Sequence, residues 1–265
     1  MDLELRGKRA IVAGGSRGIG LAVARALAAE GADVALAARD KDVLDAARDA
    51  LAAESGRTVL AVRTDTGDER SVQEMVRAVT DGLGGVDILV NSAAMPNTGA
   101  VVGVDGFDEA EFSGQVNVKV LGYLRCIRAV VPLMRANGWG RIVNISGLAT
   151  RNTGSITGTV RNVAVVAMTK NLADELGRDG INVNVVHPGI TVTEKWPQIL
   201  AARAERAGVS EAEIERQAGA SVGIGRLVTA EEVAAVVTFL SSPKAVAING
   251  DTIVAGGGAV GSIHY

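Results

Sequence analysis

The chain has 265 residues, 48% of them apolar and 3% aromatic, with a formal net charge of −3. A near-neutral balance without a basic block argues against a nucleic-acid partner, and a single cysteine, Cys126, excludes an intrachain disulfide, as expected of a reducing cytoplasm. The opening Met1-Asp2-Leu3-Glu4-Leu5-Arg6 reads as no secretory leader, no stretch of about 18 apolar residues reads as a membrane span, and the two histidines and Cys126 are too scattered to suggest a metal cluster.

Strand-like and helix-like patterns alternate from end to end. Strands are predicted at 8–13, 33–37, 58–63, 87–90, 140–145, 181–187 and 252–255, and helices at 18–30, 41–54, 69–83, 107–136, 155–178 and 230–240. This alternation predicts an α/β fold, a Rossmann-like doubly wound parallel sheet of about seven strands with helices on both faces. No linker divides the chain, so residues 1–265 are expected to form one dinucleotide-binding domain. Residues 194–222, rich in Ala, Glu and Arg, read as a helical lid inserted beside the ligand crevice, or else as a surface insertion without function.

The first strand runs into Gly14-Gly15-Ser16-Arg17-Gly18-Ile19-Gly20, and a helix follows at once. Side chains at 14 or 18 would obstruct a tight turn and hold the backbone off a phosphate, and one at 20 would keep the helix from packing closely. The unpaired N–H groups at the helix start favour a pyrophosphate. The spacing is G-x-x-x-G-x-G, because Val23 stands where the generic dinucleotide pattern has its third glycine. After the second strand, where an acidic residue would select NAD, the chain has Ala37, Ala38 and Arg39. Arg39 with Arg17 suits a 2′-phosphate, so NADP(H) is expected ahead of NAD(H). The alternative is that both arginines are solvated surface charges.

These features, with others further along, resemble the short-chain dehydrogenase/reductase family over nearly the whole chain. The loop Gly14-x-x-x-Gly18-x-Gly20 has that family's spacing, and Asp65 in Thr64-Asp65-Thr66 matches its adenine-side aspartate. Asn91-Ser92-Ala93-Ala94 is similar to the Asn-Asn-Ala-Gly motif, differing at its second and last residues. Asn117 sits where the family keeps an asparagine that helps hold a proton-relay water, and Ser146 matches the catalytic serine. Pro188-Gly189-Ile190-Thr191-Val192-Thr193 looks like the nicotinamide-lining segment, and Gly225-Arg226-Leu227 with Glu231-Glu232-Val233 like the closing helix. The resemblance implies cofactor contacts from Gly14, Ser16, Arg17, Gly18, Ile19, Gly20, Arg39, Asp65, Thr66, Asn91, Ala93, Pro188, Gly189, Ile190 and Thr193, and chemistry from Ser146 and Asn117. Each also has a plainer reading: Asp65 could cap the next helix, Asn117 could be a core polar group, and Ser146 could be a turn residue. His187 and Tyr123 read as structural.

The resemblance breaks at the family's Tyr-x-x-x-Lys pair. Aligning the helix on Ala167-Met168-Thr169-Lys170-Asn171-Leu172 puts Gly158 at the tyrosine position and Asn162 at the lysine position. No tyrosine occurs between 124 and 264, so no shift of register restores the pair. Asn162 could still bond a ribose hydroxyl, without charge. Three readings follow: an oxidoreductase on a small molecule with altered proton supply, a non-catalytic cofactor sensor or scaffold, or a site completed by a neighbour's His264 or Tyr265. The proton could come from water held by Asn117 and Ser146, from the substrate, or from Arg161 or Thr159. Apolar residues over much of both long helices (Val116, Val120, Leu124, Ile127 and Val131; Val160, Ala164, Ala167 and Met168) suggest a homodimer or homotetramer.

Overall fold

Alternate residues of β1 (Arg9–Ala13) feed two apolar layers: Ala10 and Val12 join one, Ile11 and Ala13 the other. A strand buried on both faces needs helices on both sides, and the chain supplies them. The computed structural model describes residues 1–95, 104–151 and 153–260. In chain order, β1 is followed by α1 (Gly18–Ala29), β2 (Asp33–Ala38), α2 (Lys41–Ser55), β3 (Val59–Arg63), α3 (Glu69–Leu83) and β4 (Ile88–Asn91). Then come α4 (Glu109–Val116), α5 (Gly122–Asn137), β5 (Gly140–Ile145), α6 (Ile156–Leu176) and β6 (Ile181–Pro188). The rest comprises β7 (Thr191–Val192), α7 (Trp196–Ala207), α8 (Glu211–Ala220), β8 (Val228–Thr229), α9 (Ala230–Leu240) and β9 (Thr252–Ala255).

Seven strands form one parallel sheet in the order β3-β2-β1-β4-β5-β6-β9. The strand order reverses direction between β1 and β4, and the crevice beyond their carboxyl ends is where such sheets bind ligands. One core layer packs α1, α2 and α9 on the sheet through Val23, Leu27, Leu44, Val237 and Leu240. The opposite layer packs α3, α5 and α6 through Met75, Val79, Ile127, Met134 and Leu176. Local signals fix the helix ends: the Asp40 side chain accepts from Val43 N–H, that of Asp68 from Arg70 N–H, and Thr229 with Glu232 makes a capping box.

Two features depart from the sequence reading. The single helix expected at 107–136 is two helices joined by a π-helical turn, Asn117–Leu121. Such wide turns insert a residue into the i→i−4 ladder and often accompany functional sites. Residues 194–222 do contain two helices, but β7 and β8 tie them down as a separate two-stranded ribbon that hydropathy did not reveal. Trp196, Leu200 and Leu227 give this region its own small core.

Candidate active site

The loops after β1 and β4 meet at the switch point. Gly14 adopts φ +82, and a Cβ there would stand 2.7 Å from Ala93 N. A Cβ on Gly20 would overlap the Gly14 carbonyl oxygen, so it is the loop, more than the sheet, that demands glycine there. Ser16 and Gly20 are buried, Ile19 packs on the core, and Gly18 begins α1. The Gly18 N–H donates to both Glu194 carboxylate oxygens, at 3.1 and 3.2 Å. An internal carboxylate thus occupies the helix N-terminus, where an anionic ligand would be stabilised. Sequence reasoning passed over Glu194.

Arg17 is exposed and pairs with Asp40, the cap of α2, at 2.9 Å. Arg39 is exposed at the end of β2, and its carbonyl accepts from Arg63 Nε. Asp65 does not cap α3, a role Asp68 takes; its side chain accepts from Gly67 N–H at 2.8 Å and so folds its own loop. Thr66 donates from its hydroxyl to Val118 O, joining that loop to the π turn.

Asn91 is fully buried and its amide donates to Asn144 Oδ1, whose own amide donates to Thr169, each at 2.9 Å. This chain crosses β4, β5 and α6 and holds the middle of the crevice rigid. The Asn91 Oδ1 and Asn162 Oδ1 atoms are buried without a partner among the described residues. Ser146 follows β5, and its hydroxyl donates to the Asn162 carbonyl at 3.1 Å, so the structure brings those two together. Asn117 goes elsewhere: its amide donates to Gly67 O, and its side-chain and main-chain oxygens accept from Arg125. Its polar atoms brace the Asp65–Gly67 loop rather than Ser146.

Pro188 is the last residue of β6, and Gly189 packs closely on Gly256. Ile190, half exposed, lines a cleft of about 510 Å³ with Arg203, Arg206, Ile214 and Gln217 of α7 and α8. The Thr193 methyl lies 3.7 Å from where a Gly18 Cβ would stand. His187 is buried, and Gly147 N–H donates to its Nδ1, which puts the imidazole proton on Nε2 beside Thr150 Oγ1. Burial, with Arg151 and Lys119 nearby, pushes its pKa down to about 4, so it is a neutral structural group. Tyr123 is likewise core, its hydroxyl donating to Ile145 O. Ile263, His264 and Tyr265 lie outside the described residues.

Sequence reasoning missed one further group. Lys119, in the π turn, is 5% exposed and donates from Nζ to the Ser146 carbonyl at 3.1 Å. Burial, and after it the charge of Arg161, pushes its pKa down to about 7. The available signal was a lysine within the apolar run Val116–Leu121. Among the described residues, no group of three or more His, Cys, Asp or Glu could hold a metal ion, and no helix is long and apolar enough to cross a membrane.

The glycine cradle, the carboxylate already resting on it, and the unpartnered Asn91 and Asn162 oxygens fit a dinucleotide. Comparison with known proteins agrees. Residues 13–260 match a family model described as enoyl-(acyl carrier protein) reductase. The sorbitol dehydrogenase of Cereibacter sphaeroides is 35% identical, over 97% of this chain and 98% of its own. The crystal structure of L-sorbose reductase from Gluconobacter frateurii, complexed with NADPH and L-sorbose, superposes with a TM-score of 0.92 at 30% identity, covering 99% of this chain and 100% of that one. An NAD⁺-bound xylitol dehydrogenase superposes at 0.87 with 26% identity, covering 96% of this chain and 100% of its own.

Proposed function

The chain belongs to the short-chain dehydrogenase/reductase family of oxidoreductases, and on that premise we propose that it is an NADP(H)-dependent oxidoreductase of a small organic molecule with a non-standard proton supply. The observation that carries this reading is the Glu194 carboxylate seated on Gly18 N–H, an internal anion on a backbone cradle shaped for a pyrophosphate. Gly14, Ser16, Gly18, Ile19 and Gly20 would hold the pyrophosphate. Arg17 and Arg39 would hold a 2′-phosphate, Asp65 and Thr66 the adenine side, Asn91 and Ala93 the middle. Asn162, Pro188, Gly189, Ile190 and Thr193 would line the nicotinamide end. When bound, the nicotinamide supplies or accepts the hydride. The NADPH complex of the sorbose reductase supports the choice of NADP(H), while the NAD⁺ complex of the xylitol dehydrogenase shows that this fold serves either cofactor.

Ser146 orients the substrate oxygen in this reading. Gly158 and Asn162 stand where the family's tyrosine and lysine are expected, so no phenol delivers the proton. With Asn117 engaged by Gly67 and Arg125, a water at Ser146 is the simplest remaining source. The absence of the pair also supports a second reading, a family member that binds cofactor without turnover. A positioned acid–base group contributes about 10²–10⁴ in rate, so its loss slows ketone reduction without abolishing alignment of the reacting carbons.

The same reading includes one domain over 1–265 with residues 194–222 as its lid, a cytoplasmic location, and a homodimer or homotetramer. Leu121, Leu124, Val160 and Val163 are 38–45% exposed on α5, α6 and the π turn and support an interface there. Ile127 and Val131, by contrast, are buried in the chain's own core.

Calorimetric titration with NADPH and, separately, NADH tests the reading. Tight NADPH binding with weak NADH binding is expected. Binding of neither would overturn it, and NADPH binding without turnover across ketones, imines and conjugated alkenes would favour the non-catalytic reading.

A further inference from the structure

The fold buries two cations, Lys119 on the Ser146 carbonyl and Arg161 on α6, and among the described residues no acid pairs with either. Lys119 is 5% exposed and Arg161 8% exposed, and among the described residues neither makes an ion pair. The two lie close enough for Arg161 to lower the Lys119 pKa. Arg161 Nε and Nη1 are buried without a hydrogen-bond partner among the described residues. Glu111 of α4 acts on Arg161 only through space, and Tyr123, which also faces it, keeps its proton and spends it on Ile145 O.

Other buried arginines show how this fold treats a guanidinium whose role is structural. Arg141 donates to the carbonyls of Ser242, Gly140 and Gly180 and lies over the Trp139 ring at 4.6 Å. Arg125, partly buried, is held by Thr66 O and by two oxygens of Asn117. Two of the three Arg161 nitrogens, Nε and Nη1, have no such partner among the described residues. Burying a cation with donors left unpaired costs several kcal/mol, so the arrangement is understandable when a ligand completes it. Gly158 lies on the same buried face of α6 as Arg161.

We infer that Lys119 and Arg161 form the receptor for a carboxylate on the substrate, which makes the substrate class small oxo acids and their hydroxy-acid counterparts. The inference rests on the oxidoreductase reading only for the word substrate; the anion site stands on the two cations. A carboxylate matches the geometry because a guanidinium can meet it with two N–H groups while the ammonium adds a point charge. Placed beside Ser146, it would bring the neighbouring carbonyl to the serine hydroxyl, which would then turn its proton from the Asn162 carbonyl to the substrate. The groups that set the local charge are Lys119 and Arg161, with His187 and Arg151 beyond Lys119 and Glu111 beyond Arg161. Since Lys119 titrates near pH 7 and Arg161 stays charged, anion binding should weaken as pH rises from 6 to 8.5.

The test is calorimetric titration of the full chain, without cofactor, with acetoacetate, its neutral methyl ester and inorganic phosphate. Acetoacetate is expected to bind at least about tenfold more tightly than the ester and than phosphate, matching roughly 1.4 kcal/mol. Arg161→Gln and Lys119→Met should each remove that preference, while Arg161→Lys, which keeps the charge, should keep part of it. Equal binding of acid and ester by the unaltered protein would overturn the proposal even if every variant failed to fold. A preference for phosphate would overturn the carboxylate assignment. NADPH titrated in parallel separates the two ideas: cofactor binding without acid preference sinks only the anion site, and acid preference without cofactor binding sinks only the oxidoreductase reading.

Discussion

The glycine loop after β1 and the opening of α6 after β5 both follow the carboxyl end of a parallel strand, and they are built on opposite principles. The first works by subtraction: at Gly14 and Gly20 a side chain would collide with the backbone, the Gly18 N–H is left to meet an anion, and its acid, Glu194, comes from 176 residues away. The second works by side-chain charge, with Lys119 and Arg161 buried and Gly158 on the same face of α6 as Arg161. The difference teaches that backbone geometry and buried side-chain charge are set by separate parts of this fold. A backbone cradle depends on the sheet and helix that position it. Buried charge depends on a few side chains and on what packs around them.

The comparison can be broken most sharply by transplanting chemistry into the second region. Gly158→Tyr with Asn162→Lys should raise turnover of a neutral ketone by about 10²–10⁴, equivalent to roughly 3–5.5 kcal/mol of barrier. A Cβ at 158 would lie 3.0 Å from Ser155 Oγ, the N-cap of α6, so the variant also loosens that cap by about 1 kcal/mol. Steady-state kinetics with NADPH would check this; no gain with cofactor still bound would show that 158 and 162 are not the tyrosine and lysine positions.

Crowding the first region comes next. Gly20→Val forces a branched side chain into the Gly14 carbonyl and should destabilise the protein by about 3 kcal/mol. For a chain of this size that lowers the melting temperature by roughly 6–12 °C. NADPH binding should be lost with it, and a melting curve unchanged within a degree would refute the cradle geometry.

Lys119 and His187 give a pH signature of the second region. The folded chain releases the Lys119 proton near pH 7 and the unfolded chain near 10.5, so across that window the unfolded state holds more protons and stability rises with pH. Below pH 7 the full cost of the buried charge is present. His187 repeats the pattern lower: stability falls as pH drops from 6.5 towards about 4. Lys119→Met should flatten only the upper limb and stabilise the protein at neutral pH by about 1–4 kcal/mol, readable in urea unfolding at several pH values. An unaltered upper limb would mean that Lys119 is not the group responsible.

The smallest effect concerns Glu194. Its carboxylate and a pyrophosphate would compete for the same Gly18 N–H, so Glu194→Gln should tighten NADPH binding by up to about fivefold, or about 0.3–1 kcal/mol. Weaker binding in that variant would instead make Glu194 a support for the cofactor.

The sequence by itself determined the sheet, because strand and helix periodicities are local and the parallel order follows from right-handed crossovers. It also determined the glycine loop, since only backbone sterics are at issue there. The family resemblance could be read residue by residue. Tertiary structure alone decided what each polar side chain touches. Asn117 turned to Gly67 and Arg125 because a π turn, invisible to hydropathy, rotates that stretch of helix. Lys119 went unremarked in the sequence, and its burial comes from packing in the π turn, where its Nζ meets the Ser146 carbonyl. Glu194 met Gly18 across 176 positions, a contact no local window contains. Periodicity reports which face of an element is buried. Which buried charges share that space is settled only when distant segments are brought together, because desolvation and Coulomb terms depend on distances in space and not on separation along the chain.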